Sequence, residues 1–194
     1  MTSNTQGPRP PARSRAASTA AAILCLGLAA AAGWTGGGGE ARAQSAFVSA
    51  ERDFSIQFPA APAVDSRPPA HTDDSSYRTY VAERDGGLYA VRVDQYPLHI
   101  PVPSPSERVY DLLLRAHGVE TESRLLSVER TQLGGLPTLQ GVYRLKSGAT
   151  ERTRVLMVGR RVYQVSYTSP TAASAPAAGD AFLDSFRITP PVAR

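Results

Sequence analysis

The chain has 194 residues, with 21 basic and 17 acidic side chains, so its formal net charge is +4. Four of the basic residues and one acidic residue lie within residues 1–43, which leaves 17 basic and 16 acidic side chains in the remainder. This nearly neutral remainder lacks the field that attracts polyanions, which argues against a nucleic-acid partner. The single cysteine, Cys25, also lies in residues 1–43, so the remainder has no disulfide and no thiol nucleophile or ligand.

The first 43 residues have the composition of a secretory signal peptide. Three arginines precede an uncharged apolar run, residues 20–32, and a glycine-rich break leads to the small-residue exit Ala41-Arg42-Ala43. A helix of this run spans roughly 20 Å, which is short of the roughly 30 Å hydrocarbon core of a bilayer. We therefore predict an exported protein, periplasmic or extracellular, cleaved between about Ala32 and Ala43. The open alternative is an uncleaved leader that anchors the protein to the membrane.

Strand signals begin at residues 54–58, where apolar and polar side chains alternate until a proline ends the run. Residues 60–76 are rich in proline and polar side chains, and this composition predicts a surface loop. Two further strand-like runs, residues 77–83 and 88–96, flank the turn-forming segment Arg84-Asp85-Gly86-Gly87. This arrangement predicts a β-hairpin.

A helix is predicted for residues 104–118. Ser104 is expected to cap its N-terminus, because a proline follows at the first helical position and a glutamate lies three residues on. Gly118 is expected to end it. Spacings of three and four residues predict an inward face made of Val109, Leu112, Leu113 and Ala116.

Four strands are predicted next, at residues 124–133, 136–145, 150–158 and 162–168, followed by a short helix at 180–186. In the last strand Tyr163, Val165 and Tyr167 are expected to point to one side, and Phe182, Leu183 and Phe186 of the helix are expected to face the sheet. The connections between these strands have only a few residues, so consecutive strands must be antiparallel neighbours. We predict a single α+β domain with an antiparallel sheet of six or seven strands packed by two helices. The domain is expected to span residues 54–188, after a lead-in at 44–53 and before a loose tail at 189–194.

Four short motifs resemble those of exported bacterial proteins of unknown function: Asp53-Phe54-Ser55-Ile56-Gln57-Phe58-Pro59, Leu133-Gly134-Gly135-Leu136-Pro137, Arg161-Val162-Tyr163-Gln164-Val165 and Phe182-Leu183-Asp184-Ser185-Phe186. Such proteins are similar to the PsbP-like fold group, in which a central antiparallel sheet lies between helices. The resemblance implies a non-catalytic accessory or binding module of the cell envelope. The photosynthetic role of that group is not implied, because no metal-binding or photosystem-docking motif is matched.

The spacing of the three histidines matches no catalytic or metal-binding motif. His71, His99 and His117 lie far apart in the chain, and no H-x-x-x-H spacing places two of them on one helix turn. His71 with Asp73 and Asp74 is the best local cluster, but a solvated polar turn is the favoured explanation of it. His117 is expected to interact with the carbonyl end of its helix. No catalytic, cofactor-binding or metal-binding residue is assigned.

Six basic residues cluster in the sequence of the four-strand segment, and they form the candidate for a patch that binds an anionic surface. They are Arg144, Lys146, Arg152, Arg154, Arg160 and Arg161. Arg152 and Arg154 share one strand face. The alternative is that these charges only keep the exposed strand edges soluble.

The sequence therefore favours an exported, non-catalytic accessory or binding module of the bacterial cell envelope, with no cofactor. Its expected partner is an envelope protein or a small ligand, and neither the partner nor the oligomeric state can be named from the sequence. One alternative is an envelope hydrolase whose site combines dispersed acids and histidines, such as His71, Asp73 and Asp74. Another is a structural protein tethered by an uncleaved N-terminal segment.

Overall fold

The computed structural model describes residues 46–68, 75–169 and 176–189. These residues all belong to one compact unit, Gly39–Arg194. In chain order the elements are β1 (Phe47–Val48), β2 (Phe54–Ile56), β3 (Ala63–Arg67), β4 (Ser76–Arg84), β5 (Gly87–Gln95), α1 (Glu107–Glu120), β6 (Arg124–Leu133), β7 (Leu136–Arg144), β8 (Thr150–Val158), β9 (Arg161–Ser169), α2 (Pro176–Asp184) and β10 (Arg187–Ile188). The predicted leader and most of the predicted tail lie outside the described residues.

Seven strands form one antiparallel sheet in the order β3-β4-β5-β9-β8-β7-β6. The predicted hairpin is β4–β5, and the predicted run of four consecutive strands is β6 to β9, so the α+β prediction is confirmed. The turn between β6 and β7 consists of Gly134 and Gly135, with φ angles of 59° and 82°. Glycine adopts this left-handed conformation without a steric penalty, which explains the two-residue connection.

Three short strands were not predicted from the sequence. Residues 63–67 were expected to lie in a loop, but they form the edge strand β3, which pairs with β4. Its flanking prolines obscured the strand signal, although prolines at the ends of an edge strand are compatible with pairing on one side. β1, from the expected lead-in, and β10 each pair with β2 in a separate three-stranded sheet.

Helix α1 differs from its prediction in both its start and its inward face. The cap is Ser106, not Ser104: the Ser106 Oγ accepts a hydrogen bond of 3.4 Å from the amide of Val109, and the helix continues to Glu120. Leu112, predicted to face inward, is 58% exposed. The buried residues are Tyr110, Leu114 and Gly118, so the inward face includes an aromatic residue and a glycine that the aliphatic pattern did not mark.

The two helices cover opposite faces of the large sheet. Helix α1 packs over β6, β7 and β8, whereas α2 packs over β9 on the other face, beside the three-stranded sheet. On that second face Phe54 stacks against Phe186, with ring centroids 5.5 Å apart, and the Tyr89 ring meets that of Phe182 at 5.2 Å. These rings belong to the hydrophobic core.

The alternation predicted for β9 is confirmed, since Tyr163, Val165 and Tyr167 are buried while the residues between them are half-buried. Phe182 and Phe186, expected to face the sheet, are buried as well. Among the described residues, no helix combines the length and the apolar composition needed to cross a bilayer.

Candidate functional site

Strand β8 lies between the two helices and sends charged side chains to both. Its residues alternate in direction, so Glu151 and Thr153 point to the α1 face while Arg152 and Arg154 point to the α2 face. The charged part of β8 is therefore divided between two layers of the protein.

Arg152 and Arg154 are engaged with α2 instead of forming an open surface. Arg152 forms an ion pair with Asp180. Arg154 Nη1 lies 2.6 Å from Asp184 Oδ1, and its Nε donates to Gln140 Oε1 at 3.0 Å. The side chain of Arg154 is only 9% exposed. As predicted, the two arginines share a strand face, and that face fastens α2 to the sheet.

Arg160 and Arg161 lie at the turn between β8 and β9. Arg160 donates to two main-chain carbonyl groups, that of Ile100 at 2.7 Å and that of Tyr96 at 3.3 Å. Arg161 Nη1 donates to Asp53 Oδ2 at 2.7 Å. Both guanidinium groups thus hold neighbouring segments against this end of the sheet.

Arg144 and Lys146 lie at the opposite end of β8, beside the turn that connects it to β7. Lys146 forms an ion pair with Glu122, and Arg144 donates to the carbonyl oxygen of Gly148 at 3.1 Å. The six basic residues proposed as one anionic-surface patch therefore occupy both ends and the α2 face of β8. The structure does not gather them into one surface.

A buried polar cluster under α1 was missed by the sequence prediction. His117 Nε2 lies 2.6 Å from Glu151 Oε1, and these side chains are only 13% and 9% exposed. Glu151 also accepts hydrogen bonds from Thr153 at 2.6 Å and from Thr168 at 3.5 Å. The His117 ring meets the ring of Tyr143 edge-on, with centroids 5.1 Å apart.

Burial by itself raises the pKa of Glu151, but the hydrogen bonds and charge that His117 supplies, with the hydroxyl hydrogen bonds, outweigh it and lower that pKa. An ionised carboxylate only accepts hydrogen bonds, so Nε2 of His117 carries the proton that it donates. The arrangement fixes α1 on β8. No local motif links these residues, because they are 34 positions apart in the chain.

The residues proposed for a hydrolase site, His71, Asp73 and Asp74, lie outside the described residues, so that alternative stays a prediction. His99 lies exposed in the segment before α1. In the described ranges, no three side chains of His, Cys, Asp or Glu come together in a group that could hold a metal ion.

A groove of about 600 Å³ runs between α1 and the edge strand β6. Val128 and Leu139 give it an apolar floor. Glu107 of α1 and Arg130 of β6 meet across it through two hydrogen bonds, at 2.7 and 3.0 Å. Sequence reasoning did not identify this groove, because it depends on how α1 lies along the sheet.

The charges that line the groove nearly balance, with Arg108 and Arg130 beside Glu107, Asp111 and Glu129. Arg108 lines the groove, and neither it nor Arg124 forms an ion pair with any residue that the structure describes. Arg124 is directly opposite Arg144 in the β6–β7 register. Because Tyr143 faces α1, the neighbouring Arg144 and the opposed Arg124 lie on the other face of the sheet, away from the groove.

Comparison of the chain with family models, curated proteins and solved structures found no match. The resemblance to the PsbP-like fold group therefore stays a prediction, whereas the α+β architecture stands on the structure itself.

Proposed function

We propose that the protein is an exported, non-catalytic binding module of the cell envelope that takes up an extended segment of a partner protein along β6. The observation that carries this proposal is the groove between α1 and β6, which runs beside the last strand of the sheet as the described residues form it. The leader-like composition of residues 1–43 supports the exported location.

The two edges of the large sheet differ in their suitability for pairing with another chain. β3 has five residues and is bracketed by Pro62 and Pro68, which cannot donate main-chain hydrogen bonds. β6 has ten residues without a proline, and in the described part of the chain it pairs with β7 alone. An edge strand presents unpaired N–H and C=O groups, so β6 is the better template for an added strand.

Strand addition next to a helix combines two sources of binding energy. Main-chain hydrogen bonds to the edge strand give affinity, and alternate side chains of the added segment enter pockets that give specificity. At β6 those side chains would reach the apolar floor formed by Val128 and Leu139. A suitable partner segment therefore carries aliphatic residues at every second position.

The charges around the groove do not define the charge of the partner. Glu107 pairs with Arg130 and Asp111 with Arg115, while Glu129, which lines the same groove, offsets Arg108. The partner segment is therefore defined by its alternate aliphatic residues.

Selection from a random decapeptide display library tests this proposal. We expect the protein to enrich peptides with alternating aliphatic residues, because the strand edge pairs with an extended segment and the floor of the groove is apolar. Val128→Asp places a charge on the apolar floor and should abolish binding of the enriched peptides. The matched control is Val64→Asp, which places the same charge on the exposed edge strand β3.

The enriched peptides should bind the control variant as tightly as the unmodified protein. No enrichment, or peptides that bind Val128→Asp as well as the unmodified protein, would contradict strand addition at β6. Circular dichroism on both variants checks that each keeps the fold.

A further inference from the structure

A second groove, of about 460 Å³, lies between the β1–β2 turn and the ends of strands β3, β4, β5 and β9. Its volume falls within the roughly 300–1,000 Å³ that small-molecule sites occupy. Its lining includes two acids, Glu51 and Asp53, and two arginines, Arg78 and Arg161. The two acids come from the turn, and the two arginines come from the sheet.

Asp53 is fully engaged in holding the turn in place. Its Oδ2 accepts hydrogen bonds from Arg161 Nη1 at 2.7 Å and from the Tyr163 hydroxyl at 2.9 Å, while Ser49 donates to its Oδ1. Burial and the adjacent carboxylate raise the pKa of Tyr163 to about 12, so the phenol keeps the proton that it donates. The side chain of Asp53 is only 13% exposed. The Asp53–Arg161 ion pair therefore stabilises the fold and is not available to a ligand.

Glu51 and Arg78 form the second ion pair, and it is much more open. Their side chains are 39% and 34% exposed, and the other hydrogen bond that Glu51 makes, with the Tyr80 hydroxyl, is long at 3.5 Å. Exposed pairs of this kind contribute little to stability, so the carboxylate of Glu51 can be displaced at small cost.

Hydroxyl groups flank Arg78 on the same face of the sheet. Ser66 is directly opposite Arg78 in the β3–β4 register, and Ser76 lies two residues before it on β4. Both serines line the groove, and neither hydroxyl has a hydrogen-bond partner among the described residues. A guanidinium group between two free hydroxyl donors is a favourable setting for a carboxylate, because charge-assisted hydrogen bonds are the strong ones.

We propose that this groove binds a small organic molecule that carries one carboxylate group, and that the ligand carboxylate replaces that of Glu51 on Arg78. The carboxylate of Glu51 then competes with the ligand for Arg78. The apolar body of the ligand would lie against Val93 and Tyr80, which line the same groove. This site is separate from the β6 edge and does not depend on the function proposed there.

The charge balance of the groove favours a monoanion. Asp53 neutralises Arg161, so among the described residues that line the groove Arg78 is the one cation available once Glu51 is displaced. A dianion such as phosphate would face Asp53 and the displaced Glu51 with a single guanidinium to balance it.

Calorimetric titration with 3-phenylpropionate, its uncharged amide and inorganic phosphate tests this proposal. We expect saturable binding of the carboxylate and none of the amide. Arg78→Gln should weaken that binding about tenfold or more, because it removes a charge-assisted hydrogen bond. Glu51→Gln should strengthen it, because the competing side chain loses its charge. The control is Arg84→Gln, at the other end of β4, which should bind the carboxylate as the unmodified protein does.

The direction of the Glu51→Gln effect distinguishes displacement from a merely structural ion pair. If Glu51 only stabilises the turn, its replacement weakens binding or leaves it unchanged, and the proposal fails. It also fails if phosphate binds as tightly as the carboxylate, or if the Glu51→Gln variant shows no saturable carboxylate binding.

Discussion

The helices α1 and α2 cover opposite faces of the sheet by the same construction. Each places a glycine against the ring of a sheet tyrosine: Gly118 of α1 lies over Tyr143, and Gly179 of α2 lies over Tyr167. Each also meets a charged side chain of β8. The two attachments differ in the contact that dominates. Helix α1 is held mainly by buried polar groups, whereas α2 is held mainly by close packing.

Helix α1 has a close steric contact without overlap and a buried polar contact. A Cβ added to Gly118 would lie 3.3 Å from Tyr143 Cε1, closer than an ordinary van der Waals contact, so the tyrosine ring would have to shift by a few tenths of an ångström. The His117–Glu151 pair beneath α1 is buried, and Tyr143 donates a hydrogen bond of 2.7 Å to the carbonyl of Leu114. Polar groups buried together stabilise a structure only while every one of them keeps its partner.

Helix α2 has the reverse arrangement. A Cβ added to Gly179 would overlap the ring of Tyr167, so this helix lies as close to the sheet as a glycine allows. Its charged residues are open to water, since Asp180 is 42% and Asp184 65% exposed. We therefore expect α1 to be sensitive to the loss of a polar partner, and α2 to be sensitive to added volume.

The largest effect is expected for Glu151→Ala. This change leaves His117, Thr153 and Thr168 without their common acceptor, and removing one partner of a buried pair costs about 3–5 kcal/mol. Urea unfolding measures the loss. The matched control is Glu129→Ala on the exposed strand β6, which should stay within about 0.5 kcal/mol of the unmodified protein. Equal losses in the two variants would mean that burial of the pair is unimportant.

The next effect separates the two glycines. Gly179→Ala should destabilise the protein by about 1–3 kcal/mol, because it forces α2 or Tyr167 to move. Gly118→Ala should be close to neutral, since alanine gains about 1 kcal/mol in helix propensity and the shift required is small. The same propensity gain applies at both positions, so the difference between the two unfolding free energies reports packing alone. Equal unfolding free energies for the two variants would contradict the proposal that α2 packs more closely on the sheet than α1.

A smaller effect is expected on acidification. The pKa of Glu151 in the folded protein is lowered, so its ionised form stabilises the fold above the ordinary glutamate pKa of about 4.3 and this stabilisation is lost as the pH falls through the folded value. The loss is smaller than in Glu151→Ala because the protonated carboxyl still fills its space. Unfolding free energies between pH 7 and pH 3 should decline less for Glu151→Gln than for the unmodified protein. Parallel profiles would contradict this account.

The smallest effect is expected for Asp184→Asn. Arg154 keeps its hydrogen bonds to Gln140 and to the carbonyl of Gln132, and the aspartate that it loses is largely exposed. Ion pairs with such an exposed member contribute about 0–1 kcal/mol. Urea unfolding should place this variant close to the unmodified protein. A loss comparable to that of Glu151→Ala would show that α2, too, is held by its charges.

Local patterns predicted the elements well where each residue type matched its environment. The alternation in residues 54–58 and in β9 marked the buried side chains correctly, and the glycine pairs marked the hairpin turns. The inward face of α1 was predicted only in part: Val109 and Leu113 pack against the core, whereas Leu112 faces water. A tyrosine, a glycine and a histidine also face the sheet. The spacing of aliphatic residues does not mark inward positions that are occupied by a tyrosine, a glycine or a histidine.

The candidate sites were harder to predict because they depend on contacts between distant parts of the chain. The sequence shows that Arg152 and Arg154 share a face, but not that Asp180 and Asp184 lie opposite them. Glu151 is buried against a histidine that precedes it by 34 positions. Both grooves likewise form where elements distant in sequence meet, so no local motif predicts them.

The Glu-Arg-Thr-Arg segment of β8, residues 151–154, has a consequence for how the chain finds its alignment. A slip of one position turns every side chain of a strand to the other face. The carboxylate would then meet the two aspartates of α2, and two guanidinium groups would be enclosed beneath α1 beside an imidazole. An unpaired charge buried in the wrong layer destabilises a misaligned sheet more than lost apolar contacts would, so these four residues favour the correct register of β8 during folding.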